Sequence, residues 1–325
     1  MISVDVICWN SSLYAPPIWN DIQARSLNNH PEFRINNIFT TIHGGERARL
    51  SRQAQLDYAL LGMSQADILI SLCPDQHDFG FDLSHIKNYK KIVFIEIEPI
   101  YHANALGLEA HNRFISDCKD IIRDDDIIYY CSNLDRDLSQ MPCVKKSWHS
   151  GLNLFFPEKP ARENKKMQVI TDASISRGWS GRQYFFDKFN SIENLTKVVQ
   201  MGSPAWESTN PLISESKIYL IPPHPLVIHW LRFSRALHLG ALPVVVNHDG
   251  WLEDKNIQNA YEDIINENGK TCLLTNLGEF DKTIDLLRDE DYVDSLLDNI
   301  YNKDLYEYSI ESLWNNLYEH LKFCI

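Results

Sequence analysis

Two patterns of hydrophobic and polar positions alternate along the first half of the chain. "ISVDVICW" is an apolar run interrupted by Asp5 and predicts a buried strand. The loop "NSSLYAPP" and a helix from about Ile18 to Asn28 follow it. "FRINNIF" predicts a second strand, and "RLSRQAQLDYALLGM" has the spacing of an amphipathic helix. "ADILISLC", bounded by Gln65 and Pro74, is continuously apolar, as a strand covered on both faces must be. "KKIVFIEIE" repeats that pattern, a helix is predicted from about Asn104 to Ile122, and "DIIYYCS" gives another strand. The stretch "SWHSGLNLFFPEKPARENKK", Ser147 to Lys166, breaks the alternation with two prolines and a basic polar end, and reads as a linker. The alternation then restarts: strand "MQVITDA", helix "GRQYFFDKFNSI", strands "TKVVQMG" and "SKIYLIPP", a helix from about Val227 to Leu239, and strands "LPVVV" and "KTCLLT". Three helical stretches, "EFDKTIDLLRD", "YVDSLLDNIYN" and "SIESLWNNLYEHLKF", close the chain. Strands alternating with helices predict parallel sheets covered on both faces, here as two α/β halves joined near residue 150.

Length and composition agree with that picture. A chain of 325 residues accommodates two ordinary domains. No window holds the roughly 18–20 uninterrupted apolar residues that a membrane span needs. The N-terminus lacks a basic leader region and reads as a first strand rather than a signal peptide. The 7 cysteines show no CxxC or other regular spacing, so disulfides and cysteine-rich zinc sites are not expected, and a reducing cytoplasm is the expected setting. A net charge of −13 argues against a general surface for nucleic acid or anionic membrane. The one basic cluster, Arg47, Arg49 and Arg52, is read as a solvated helix start, with an anion-binding patch as the alternative.

Three blocks in the second half resemble a known superfamily. "SWHSGLNLFFPEK" resembles the linker of GT-B glycosyltransferases. "SKIYLIPP…FSRALHLGALPVVV" resembles their donor-site segment, a strand, a helix ending "EALAxG" and a strand "TPVV". "NENGKTCLLTNLGEFDKTIDLL" resembles the "xNGxLhxxxdxxxLxxxI" run after it. The blocks cover about half the chain in the family's order. The resemblance implies an α/β GT-B fold, two Rossmann-like domains with parallel sheets facing a central cleft. The expected division is 1–148 for an N-terminal acceptor domain and 149–305 for a nucleotide-sugar donor domain. Residues 306–325 form a C-terminal helix, with packing back on the N-terminal domain as one option. The chain departs from the large retaining family at its two glutamates, which match Val227 and Arg235 here, so the stereochemical outcome is left open.

In open parallel sheets ligands bind beyond the carboxyl ends of the strands, which directs attention to the residues following each one. A nucleotide-sugar donor presents a diphosphate, suited to helix N-termini and to bidentate arginines. The first candidate is "TDASISRGWSGRQYF", where Arg177-Gly178 matches the family's basic-residue–glycine pair and Arg182 opens a helix. The second is "PPHPLVIHWLRFSRALHLGALP". It places His224 at a helix start, puts Arg232 and Arg235 three apart on one helical face, and supplies Gly240 as the helix terminator and floor of the donor site. Glu253, or else Asp249, is the candidate for a ribose. For the general base that an inverting transfer needs, the order of preference is Glu98, Asp75, then His43, all in loops after first-half strands. No DxD signature occurs; "RDDDI" at Asp124 to Asp126 reads as a solvated turn, and no metal is expected. The co-substrate is expected to be UDP- or GDP-linked, with no other cofactor.

The expected activity is transfer of a sugar from that donor to an acceptor hydroxyl, of a surface glycan or another molecule. The alternatives are a DNA-base glycosyltransferase of phage type, a nucleotide-sugar 2-epimerase, and a catalytically silent module that binds sugar nucleotides. Nucleic acid is a possible but unfavoured partner on so acidic a chain.

Overall fold

A computed structural model describes residues 1–10, 24–42, 63–72, 86–96, 126–131, 143–146, 159–173, 181–193, 196–201, 206–223, 230–323 and 325. The chain divides into two compact units, Met1–Gly151 with Glu307–Ile325, and Leu152–Tyr306.

Unit 1 is built on a six-stranded sheet of order β2-β1-β3-β4-β5-β6. Its strands are β1 Ile2–Asn10, β2 Phe33–Ile42, β3 Ile68–Leu72, β4 Lys91–Glu96, β5 Ile127–Cys131 and β6 Cys143–Lys146. Every pairing is parallel. Val4, Val6, Ile7, Ile68, Leu69, Ile70, Ile92, Val93 and Ile95 bury the apolar runs that the sequence shows. The break in the first run, Asp5, is fully buried and accepts hydrogen bonds from Asn37 Nδ2 at 2.9 Å and Tyr89 Oη at 2.5 Å. Burial together with the Asp5 charge holds the Tyr89 hydroxyl well above its ordinary pKa. The helix Ile310–Leu321 belongs to this unit. Its Ser309 caps the first turn by accepting from the Ser312 N–H, Trp314 Nε1 donates to Ser26 Oγ at 2.8 Å, and Tyr318 meets Phe33 edge-on.

Unit 2 carries a five-stranded parallel sheet of order β11-β10-β9-β7-β8. The strands are β7 Lys166–Ala173, β8 Thr196–Met201, β9 Ser216–Ile221, β10 Leu242–Asn247 and β11 Leu273–Asn276. In β10 all six residues are buried, which is why "LPVVV" carries no polar alternation. Each of its valines contributes about 1.5–3 kcal/mol by leaving water. The helix Trp230–His238 feeds that strand through a tight left-handed turn. Gly240 has φ +68°, its N–H bonds the Leu237 carbonyl at 3.1 Å, and the Ala241 N–H bonds the Ala236 carbonyl at 2.9 Å.

In both sheets the first strand of the unit lies between the second and the third. The chain therefore winds one way once and the other way thereafter, and the reversal falls between β1 and β3 in unit 1 and between β7 and β9 in unit 2. At such a point neighbouring connections diverge and leave a crevice beyond the carboxyl ends of the strands.

Candidate anion site in the second unit

A buried polar cluster lies toward the carboxyl ends of β7 and β9. Ile170 pairs with Tyr219, so Tyr219 and Asp172, two residues beyond Ile170, share a face of the sheet. Two helices lie against this part of the sheet, Trp206–Glu215 on β7 and β9 and Trp230–His238 on β9 and β10. Arg232 and Arg235, one turn apart, both reach Asp172.

The bonding is dense. Asp172 Oδ1 accepts from the Tyr219 hydroxyl and from Arg232 Nη1 at 2.8 Å, and Oδ2 accepts from Arg235 Nη1 at 2.7 Å. Arg232 Nη1 also donates to the Asp172 carbonyl. Arg235 is 1% exposed, and its other nitrogens donate to Asn210 Oδ1 at 2.7 Å and to Thr209 Oγ1. The Arg232 side chain keeps 19% of its surface, both of its bonds to Asp172 leave from Nη1, and it also lies against the Tyr219 hydroxyl. Burial opposes the charge on Arg232, but Asp172 and the Tyr219 hydroxyl outweigh it and hold the guanidinium pKa above its ordinary value. The Tyr219 hydroxyl is itself pushed well up, by burial and by the Asp172 carboxylate.

Loops from the other strands are fixed at the same edge of the sheet. Gly181, with φ +85°, precedes the helix Arg182–Ser191; a Cβ there would lie 2.8 Å from Leu277 Cδ1, just beyond β11. Arg182 is buried and its Nε donates to the Pro223 carbonyl beyond β9 at 3.0 Å. Asp249, beyond β10, accepts from the Gly278 N–H at 2.8 Å. The turn Trp251–Glu253 is anchored by buried Trp251, whose Nε1 donates to the Thr275 carbonyl at 3.1 Å. That turn carries an exposed Glu253, whose carboxylate has no partner among the described residues.

The structure therefore brings Arg232 and Arg235 together on one carboxylate and places Arg182 and Glu253 at the same sheet edge. Gly240 is not brought there. It precedes β10, at the opposite end of the sheet, because a helix returning across a parallel sheet ends where the next strand begins; a Cβ on it would lie 2.6 Å from the Tyr301 hydroxyl and 3.0 Å from Lys159 Cγ. Arg177, Gly178 and His224 lie outside the described residues, as do Glu98, Asp75 and His43. The strands that precede the last three end at Glu96, Leu72 and Ile42 respectively. The sequence reading missed Asp172, Tyr219, Thr209 and Asn210. An acid one residue from the end of a buried strand, followed later by two arginines three apart, was the available signal, because a buried carboxylate requires partners. Among the described residues no group of three or more His, Cys, Asp or Glu is placed to hold a metal, and no helix is long and apolar enough to cross a membrane.

No family model matches the chain, and no curated protein matches it. Solved structures do. The Anabaena protein HepE, in complex with UDP and glucose, matches with a TM-score of 0.57 at 10% identity over 98% of this chain and 99% of that one. AviGT4, a glycosyltransferase of avilamycin A biosynthesis, gives 0.57 at 9% identity over 99% and 97%. The catalytic domain of starch synthase IV from Arabidopsis thaliana, bound to ADP and acarbose, gives 0.51 at 10% identity over 99% of each chain. At such identities the likeness speaks for the fold alone, and that fold is GT-B, two Rossmann-like α/β units in one chain.

Proposed function

We propose that this chain is a glycosyltransferase that takes a sugar from a nucleotide-diphosphate donor and passes it to an acceptor hydroxyl. The observation that carries the reading is Arg232. It is a guanidinium whose two bonds to Asp172 both leave from Nη1, at the strand-carboxyl edge where the unit 2 sheet reverses its winding. Ligands of open α/β sheets bind at such a place, and the planar edge of an arginine matches two phosphate oxygens. Charge that develops on the leaving diphosphate is then met by a cation already in position, the main requirement of a transfer in which bond breaking leads. The fold shared with HepE, solved with UDP-glucose, supports a UDP-linked donor, with a GDP-linked one as the other option.

In this reading unit 2 holds the donor. Arg177-Gly178 and His224 add contacts to the diphosphate, and Glu253 on its anchored turn accepts from the ribose hydroxyls. Unit 1 receives the acceptor, a glycan or another hydroxyl compound. Glu98, Asp75 or His43 takes the acceptor proton, as inverting chemistry requires. The leaving group is neutralised by arginine and backbone N–H groups without a metal.

A thermal-shift screen of UDP-, GDP-, ADP- and CDP-sugars tests the proposal. A ligand at one hundred times its Kd stabilises by about 2.7 kcal/mol, a rise of several degrees. The rise is expected with one nucleotide class and is expected to vanish in Arg232→Ala. That variant leaves a balanced Asp172–Arg235 pair and should fold. No stabilisation by any nucleotide sugar would overturn the reading.

A further inference from the structure

The cluster at the carboxyl ends of β7 and β9 is unevenly charged. Among the described residues one carboxylate, Asp172, faces two guanidiniums. Arg235 suffices for the carboxylate, being buried and bonded through all three of its nitrogens, to Asn210, Asp172 and Thr209. Arg232 adds a second positive charge beside that carboxylate, and both of its hydrogen bonds to Asp172 leave from Nη1, to the carbonyl and to Oδ1. The Tyr219 hydroxyl shares that Oδ1, so the carboxylate cannot turn toward Arg235 and release Arg232.

We propose that Asp172, Arg235 and Tyr219 are positioning residues that hold the Nε–Nη2 edge of Arg232 as a preformed fork for a phosphoryl anion, which itself touches none of the three. From the proposed function this takes only the class of the anion. The chemistry is that of a bidentate guanidinium–phosphate pair, whose geometry tolerates little rotation. A free arginine must surrender rotamer freedom to form it, whereas Arg232 is already fixed by its opposite edge. The surplus positive charge is completed when the anion binds. This also accounts for an arginine at position 235. On the helix a carboxylate would pair with Arg232 directly and cancel the surplus, whereas on β7 it is saturated from below by Arg235 and leaves the outer edge of Arg232 open.

The test uses the full chain and inorganic pyrophosphate, with affinity read by calorimetry and the arginine Nε–H resonances followed by NMR. Wild type should bind, with one Nε–H resonance shifting on titration, and Arg232→Ala should lose both the binding and that resonance. Tyr219→Phe, which removes one hydroxyl from a buried site, should fold and bind about tenfold more weakly, equivalent to about 1.4 kcal/mol. Arg235→Lys, which keeps the charge and loses the geometry, should weaken binding at least as much. A purely structural role for these residues would lower the unfolding midpoint and leave the pyrophosphate affinity of folded Tyr219→Phe at the wild-type value, and that result overturns the inference. So does wild type that fails to bind pyrophosphate, or Arg232→Ala that still binds it. Should Arg235→Lys fail to fold, Tyr219→Phe decides. The two proposals separate cleanly. Pyrophosphate binding that depends on Arg232 and Tyr219, without stabilisation by any nucleotide sugar, keeps the fork and removes the transferase. Stabilisation by a nucleotide sugar with pyrophosphate affinity indifferent to Tyr219 does the reverse.

Discussion

Replacing Gly240 by alanine tests both the packing of unit 2 and the end of the sheet to which this glycine belongs. Two costs follow from the structure. The backbone sits at φ +68°, where a residue with a Cβ loses roughly 1–2 kcal/mol. The Cβ would also stand 2.6 Å from Tyr301 Oη and 2.9 Å from its Cζ, and must push that ring away. Tyr301 Oη donates to the Pro160 carbonyl at 2.6 Å, a bond worth about 0.5–1.5 kcal/mol that the displacement breaks. The sum is about 1.5–3.5 kcal/mol. Gly269 provides the control, because its φ is +75° and nothing lies within 4 Å of its would-be Cβ. Gly269→Ala should therefore cost the backbone part alone. Urea unfolding followed by circular dichroism gives both values, and Tyr301→Phe as a background should reduce, without abolishing, the difference between them. Gly240→Ala no costlier than Gly269→Ala would refute the packing argument. Folded Gly240→Ala should also keep the wild-type affinity for whichever nucleotide stabilises the chain; a lost affinity would contradict its place at the far end of the sheet.

Two further expectations concern buried ionisable groups. Burial, with help from Lys159, pushes Lys165 from its ordinary 10.5 down to about 7, while its Nζ donates to the carbonyls of Ser214, Ser216 and Leu239. Above pH 7 the unfolded chain then holds a proton on this lysine that the folded chain has released, so stability should rise between pH 7 and about 9, by at most about 1.4 kcal/mol per unit. Lys165→Met should lack that slope, and parallel stability–pH profiles for the two proteins would contradict the account. Cys272 is buried and its thiol is pushed far up by burial and the nearby Glu267 charge, so it should resist a thiol reagent at pH 8 until urea unfolds the chain. Mass spectrometry locates the label, and labelling of Cys272 in the native protein would count against its burial.

The sequence announces the strands far better than the cluster between them. Runs such as "ILISL" and "LPVVV" name their own fate, since a continuous apolar stretch too short for a buried helix is satisfied inside a two-sided sheet. The helix Trp206–Glu215 escapes that logic. Ser208, Thr209 and Asn210 favour turns, and Pro211 sits inside it, yet tertiary burial of Ile213 secures it. Thr209 and Asn210 vanish from a sequence reading together with their helix. Arg232 and Arg235 are legible as neighbours because helical spacing is local. Their shared partner is not, because Asp172 lies 63 residues from Arg235 and meets it only through the order of the strands. Gly240 illustrates the converse. Its conformation is local and legible, whereas its position at the edge opposite the crevice depends on the direction in which the helix crosses the sheet.

The two units pose one physical problem twice and answer it differently. Each puts an aspartate on its first strand, buried in the sheet, and each gives that aspartate a tyrosine hydroxyl. Asp5 lies in the first half of β1, accepts from the neutral amide of Asn37, and meets no cation among the described residues. A carboxylate met by neutral donors of fixed geometry is content as it stands, and its role ends with the interior. Asp172 lies one residue from the end of β7 and meets two guanidiniums among the described residues. Burying a second cation is costly, and replacing it with an apolar side chain would ordinarily be neutral or stabilising. The anion proposed above, arriving at the carboxyl edge of the sheet, would give that second cation its role. Tyr89→Phe and Tyr219→Phe put the contrast to experiment. Both should lower the unfolding midpoint, and only the second should change the affinity for pyrophosphate.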